Sequence, residues 1–301
     1  MSFICDLTIA IPVRNEEQNL PKCLAHIGAD LAAQVVVIDS GSTDRTVKIA
    51  EEWGAEVIDF VWDGKFPKKR NWFLRTHCPT TKWVMFLDAD ELLTDEFKTE
   101  LRNTLQRQED YVGYWLRYTV YFLNKQNKGG YFLHKLALFQ VGAGEYERID
   151  EDQWSRLDME IHEHPVLVGK IGTIRSKIDH KDLRGVSYYV TKHNEYSSWE
   201  AARFLRLSKD TKAKQRWSWM QRVKYGLMQT PLLGPIYFLG SFFLMGGIRD
   251  GTRGFTFAIL KMAYFTQTYL KIREMKEAEK VNERLNIPGA NVASQKESLK
   301  H

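Results

Sequence analysis

Cysteine is scarce in this 301-residue chain: only Cys5, Cys23 and Cys78 occur. An odd set without paired spacing argues against a disulfide framework and a zinc site, and it suits a reducing compartment. No secretory leader is expected either. The first apolar stretch, Leu7 to Val13, follows Asp6 rather than a basic region and is too short for a signal core, so a cytoplasmic protein is expected. Nor does charge of one sign dominate. A net charge of +5 and a pI of about 8.9 are far below the density of a dedicated nucleic-acid binder, so no nucleic-acid partner is expected. No internal repeat stands out, and the only biased segment is polar sequence after about Asn286. What remains is a chain that is 44% apolar, enough to bury a sizeable core in one large domain or two smaller ones.

The first hundred residues alternate between short apolar runs and helical stretches. Strands are expected at Leu7 to Val13, Gln34 to Asp39, Ala55 to Asp59 and Trp83 to Leu87. Between them fall helices from Glu16 to about Ile27, from a Thr43-Asp44 cap to Trp53, and from Pro67 to about His77. Repeated strand–helix units of this length predict an α/β fold with a mostly parallel sheet, helices on both faces and ligands at the carboxyl ends of the strands. From Tyr111 to His180 shorter aromatic and β-branched runs, with Gly129-Gly130 as a turn, predict an antiparallel extension.

Chemistry-bearing residues gather at the predicted strand ends. Asp88-Ala89-Asp90 sets two carboxylates one residue apart, a costly pair unless a cation lies between them. A hard divalent ion carrying substrate phosphates is the natural partner, and a solvated turn is the plainer alternative. Asp39-Ser40-Gly41-Ser42-Thr43-Asp44 ends the second strand, where Asp39 can accept hydrogen bonds from a nucleoside and Gly41 permits a tight turn before a helix N-terminus. Pro12-Val13-Arg14-Asn15-Glu16 ends the first strand on the same edge.

Taken in order, Ile9 to Glu16, Val37 to Asp44 and Phe86 to Glu91 resemble glycosyltransferase family 2, over roughly residues 6 to 180. The resemblance, which extends to lipopolysaccharide-core and exopolysaccharide enzymes, implies the GT-A nucleotide-diphospho-sugar transferase fold and an inverting reaction. It implies that Pro12, Arg14, Glu16 and Asp39 hold the nucleoside. Arg70, within Lys69-Arg70-Asn71, would lie near the donor, and Asp88 and Asp90 would bind its diphosphate through Mn²⁺ or Mg²⁺. Ser40 stands where many members carry a second Asp, and their usual Glu-Asp base motif is not evident. Asp158-Met159-Glu160-Ile161-His162-Glu163-His164 supplies carboxylates instead. Inverting transfer needs a group to take the acceptor hydroxyl's proton, so Glu163 is the expected base, with Glu160 in reserve. His180 is either a further metal ligand or a hydrogen-bonded strand-end histidine.

The second half reads differently. Arg203 to Lys224 holds eight Lys or Arg and one acid, with Trp217 and Trp219 among them. Gly226 to Ile248 carries no charge, but Pro231, Pro235 and five glycines interrupt it. This length could span a bilayer; the breakers favour re-entrant or interfacial helices, and a soluble helical hairpin is the competing reading. Basic residues and tryptophans beside apolar sequence suit the inner face of the cytoplasmic membrane. The expected plan is a transferase domain over 1–180, a basic helical linker over 181–225, membrane-associated helices over 226–280 and a polar tail over 281–301. Its expected partners are a nucleotide-sugar, UDP-linked by expectation, and a lipid-linked glycan acceptor. Rival readings are direct transfer onto a polyprenyl phosphate, or a non-catalytic relative that binds membrane.

Overall fold

The computed structural model describes residues 4–107, 109–148, 164–209 and 219–284. These divide into two compact units, one of residues up to 126 with 132–184, the other of 127–131 with 185 onward.

The first unit opens with β1 (Cys5–Val13), α1 (Leu20–Ile27), β2 (Ala32–Asp39), α2 (Thr46–Trp53), β3 (Glu56–Asp59), α3 (Lys69–Thr76) and β4 (Trp83–Phe86). Strands β3, β2, β1 and β4 lie side by side in that order, all parallel, with Val13 beside Asp39 and Ala10 beside Phe86. The chain builds outward from β1 on one side through β2 and β3, then crosses to place β4 on the other. That reversal leaves a crevice at the carboxyl ends of β1 and β4, where ligands of such sheets bind.

Both faces of the sheet are covered, which is why its strands read as unbroken apolar runs. Ile9, Ile11, Val37 and Met85 pack with Leu20, Leu24 and Ile27 of α1 on one face. Ala10, Val36, Ile38 and Phe86 pack with Phe73 of α3 on the other. Helix α1 begins later than the expected Glu16. Residues 16–20 instead form a turn in which Asn19 and Leu20 donate amides to the Glu16 carbonyl, and Pro21 occupies the helix's first turn.

Beyond β4 come β5 (Glu91–Leu92), α4 (Asp95–Gln106), β6 (Tyr111–Phe122), β7 (Lys125–Gln126), β8 (Leu133–Gln140), β9 (Gly144–Tyr146), β10 (Pro165–Leu167) and β11 (Lys170–His180). Thr94 caps α4 through the Phe97 amide. The expected antiparallel extension is only half correct. Strand β8 runs antiparallel to both β4 and β6, but β11 runs parallel to β6, with Ile178 beside Tyr118. The chain leaves β8 and returns on the far side of β6, so it must run opposite to β8 and hence alongside β6. The sheet ends with β5, antiparallel to the last residues of β11.

The second unit is helical: α5 (Gly185–Lys209), α6 (Trp219–Leu227), α7 (Leu233–Leu239), a π-helical turn (Gly240–Leu244), a 3-10 turn (Gly247–Asp250) and α8 (Gly251–Arg284). Its core gathers Ala201, Phe204, Met228, Leu233 and Ile272. The Gly129-Gly130 turn belongs here, with the Gly130 amide on the Met245 carbonyl at 2.9 Å and the Lys128 amide on Asp250 at 2.8 Å. A Cβ on Gly129 would sit 2.5 Å from the Gly246 carbonyl oxygen, so only glycine allows this approach. No helix among the described residues is long and apolar enough to cross a membrane.

Candidate active site

The carboxyl edge of the parallel strands is stitched from two loops. Asn15 adopts a positive φ of 55°, tolerable for asparagine, and accepts the Thr43 amide at 2.8 Å. The Asn15 amide reaches Ser42 Oγ at 2.9 Å, the Glu16 amide reaches Thr46 Oγ1 at 2.7 Å, and the Glu17 amide reaches Asp44 at 3.1 Å. Asp44 also accepts the Thr46 amide, turning the chain into α2. Asp39 is buried and accepts the Gly41 and Ser42 amides, each at 2.9 Å, with Ser42 Oγ at 2.5 Å. Pro12 is buried in β1, whereas Arg14 projects into solvent and makes no hydrogen bond or ion pair among the described residues.

Asp88 lies between two cations. Arg70, buried on α3, donates to Oδ1 at 2.9 Å, its guanidinium flanked by the rings of Tyr146 and Phe86. Lys135 of β8 donates to Oδ2 at 2.5 Å and to Glu91 Oε1 at 2.5 Å. The pairing is cooperative. Burial works against the Lys135 charge, yet Asp88 and Glu91 hold its ammonium well above the usual range. Glu91 is fully buried, and that burial pushes its carboxyl up to about 7 despite the Lys135 charge. Asn71 and Lys69 brace the same helix: Asn71 exchanges two hydrogen bonds with the Tyr146 backbone, and Lys69 donates to the Val13 carbonyl at 3.0 Å.

Asp90, also buried, faces a different set of groups. The β5–β11 pairing puts Glu91 opposite His180, and the Lys181 amide donates to the Asp90 carbonyl at 2.7 Å. His180 Nε2 consequently lies 3.5 Å from Asp90 Oδ1. Arg184 follows in the chain and donates to Glu16 at 2.5 Å and to Asp182 at 2.8 Å, with Asp90 at 3.8 Å. Burial opposes its charge, but these three carboxylates hold the guanidinium above its ordinary value.

The GT-A fold implies a divalent ion, and the donor set at Asp90 and His180 fits one. Two ligands held at roughly 2.1 Å by one ion lie roughly 3 to 3.5 Å apart, and the carboxylate is a ligand that Mg²⁺ and Mn²⁺ accept. No third His, Cys, Asp or Glu completes the set among the described residues. Asp88 gives both oxygens to Arg70 and Lys135.

The fold thus gathers Arg70 and Asp88 in one set of ion pairs and Glu16 and Asp90 in a second, with Asp39 held on the loop after β2. The expected base Glu163 and its reserve Glu160 lie outside the described residues. Lys135 and Arg184 escaped the sequence reading. The first had a faint signal, a lysine beside the apolar run Leu136 to Phe139; the second had none.

A parallel sheet with this acidic carboxyl edge fits the GT-A fold of nucleotide-diphospho-sugar transferases. Residues 8–155 match the model described as "Glycosyl transferase family 2". Among curated relatives, the lipopolysaccharide core biosynthesis glycosyltransferase LpsC of Rhizobium meliloti is 27% identical over 86% of this chain and 88% of its own length. A TPR repeat-containing protein of Synechococcus elongatus is 38% identical over 35% of this chain, which spans only 26% of that relative. Glucosyl-3-phosphoglycerate synthase of Mycobacterium tuberculosis, solved with Mn²⁺ and UDP, is 23% identical, with 39% of this chain and 44% of that one covered and a TM-score of 0.31. Residues 8–155 thus match glycosyl transferase family 2, and most of the chain is similar to a glycosyltransferase.

Proposed function

We propose that this enzyme transfers a sugar, with inversion, from a nucleotide-sugar (UDP-linked by preference) to a hydroxyl of a lipid-linked glycan during cell-envelope polysaccharide or lipopolysaccharide synthesis. The observation that carries the reading is the linked row Arg70–Asp88–Lys135–Glu91 beside Asp90 and His180, at the crevice where β1 and β4 diverge. Such a row sets cations against the donor's diphosphate while two strand-end loops flank its nucleoside. The lipopolysaccharide-core name of the Rhizobium relative supports the acceptor class.

In this reading Pro12, Arg14, Glu16 and Asp39 receive the nucleoside. Arg70 and Lys135 stand against the diphosphate, and Asp88 and Asp90, with His180 beside them, would hold Mn²⁺ or Mg²⁺. When bound, the ion supplies positive charge that offsets the growing charge on the departing nucleoside diphosphate. Glu163 accepts the acceptor hydroxyl's proton as that oxygen bonds to the anomeric carbon. The bond from that carbon to the donor phosphate oxygen breaks on the opposite face, and its electron pair leaves with the diphosphate. Apolar, basic-flanked helices of the second unit bring the enzyme to the inner face of the cytoplasmic membrane, where its acceptor resides.

Binding and slow hydrolysis of UDP-, GDP- and dTDP-sugars, measured with Mn²⁺ and then EDTA, test this function. Metal-dependent binding of one donor, lost in Asp90→Asn, is expected. A folded protein that binds none of them would sink the reading.

A further inference from the structure

The surface of the second unit inverts the ordinary pattern of a water-facing helix. Across α7 and the π-helical turn, every exposed position from 231 to 244 is apolar. Leu232, Ile236, Leu239 and Phe243 recur at spacings of four, three and four, and are between 47% and 56% exposed; Leu244 beyond them is 89% exposed and Ile248 is 52%. The polar side chains of the stretch turn the other way. Ser241 is buried with its hydroxyl on the Phe238 carbonyl, and the Tyr237 ring lies 4.7 Å from Phe265 of α8. Gly234 presses this inner face onto α8: a Cβ there would sit 2.7 Å from Thr266 Oγ1. The outward row is therefore not a helix face left over from poor packing. Its opposite side is the packed one, and a contiguous apolar face of this extent marks an interaction site.

Charge around the row identifies the occupant. Residues 211 to 273 contain ten Lys or Arg and one acid, Asp250. That acid is turned inward onto Arg253 and the Lys128 amide, so it does not offset the exposed cations of the stretch. Arg249, next to Ile248, and Arg222 are exposed. Apolar side chains rimmed by basic ones match an anionic lipid surface, whose acyl boundary receives the first and whose headgroups attract the second. Neither α7 nor the turns after it reach spanning length.

We infer that Leu232 to Ile248 forms an in-plane anchor that sinks its Leu239–Phe243–Leu244 edge into the interface of an anionic bilayer. This deepens the membrane side of the proposed function and does not depend on which donor the first unit binds. The test is flotation of the full chain with phosphatidylglycerol-containing and pure phosphatidylcholine vesicles, beside its oligomeric state without lipid. The wild-type chain floats with the anionic vesicles, less with neutral ones and less in high salt. The double variant Leu239→Asp/Phe243→Asp binds roughly tenfold or more weakly, as expected for charges placed on a buried apolar face. Both positions are already solvent-facing, so its thermal melt and its nucleotide-sugar affinity stay those of the wild type. A folded wild-type chain that ignores anionic vesicles overturns the inference, whatever it does with donors. So does a wild-type dimer that the double variant splits while vesicle binding is unchanged, because a second copy would then cover the row.

Discussion

Arg184 reaches back 168 positions to Glu16, its guanidinium 2.5 Å from the carboxylate, and so ties the end of β11 to the loop after β1. Three carboxylates converge on this one buried cation. Arg184→Met should cost about 3 kcal/mol of stability, because it strands buried acids rather than removing a surface pair. Arg184→Lys should recover part of that but not the forked contact with Asp182. Urea unfolding of the two variants measures both effects, and a Lys variant as stable as the wild type would show that charge alone matters.

Lys135 poses a sharper contrast, since it neutralises Asp88 and Glu91 beside Asp90. Lys135→Met makes the cluster more negative. Divalent-ion affinity should rise, because the repelling unit charge is removed, while nucleotide-sugar affinity falls. Calorimetric titration with Mn²⁺ alone and then with donor reads the two directions separately. A parallel change in both would refute the assignment of Lys135 to the diphosphate.

Glu163→Gln should reduce turnover by about 10² to 10⁴ while leaving donor binding intact, as loss of a general base does. Steady-state transfer to a glycan hydroxyl, beside donor titration, checks it. Undiminished transfer would favour a phosphate acceptor, which needs no base to ionise it.

In the second unit Lys261 lies against the rings of Tyr131, Phe257 and Tyr189, at 4.5, 5.5 and 5.8 Å, and burial pushes its ammonium down to about 8. A cation with a folded value below its unfolded one binds fewer protons folded than unfolded, so stability rises with pH between about 8 and the ordinary value of 10.5. Relative to Lys261→Met, the wild-type chain should gain on the order of 2 kcal/mol across that window. Denaturation at pH 7.5, 9 and 10.5 shows it, and a constant difference between the two proteins would contradict it.

Much of the first unit was legible because buried parallel strands declare themselves. Ile9, Ile11 and Val37 face one layer of helices while Ala10, Val36 and Ile38 face the other, so the strands run apolar through their second halves until they end. The motifs stood out for the same reason, as abrupt polar residues at the carboxyl edge. The direction of β11 was not legible, because an apolar-alternating strand has the same pattern whichever way it runs.

Local sequence, then, determined the strand–helix order, the acidic strand ends from Glu16 to Asp90 and the uncharged, broken stretch after Gly226. Periodicity and turn chemistry act over a few residues and are written in their neighbours. Only the tertiary structure decided that Lys135 would bridge Asp88 and Glu91, that the β5–β11 pairing would bring His180 to Asp90, and that Arg184 would close on Glu16. It also decided that the apolar side chains of α7 would point outward and its polar ones inward. Those outcomes depend on which distant segments compete to cover a buried charge or an apolar face, and that competition is resolved by packing rather than by any short stretch of chain.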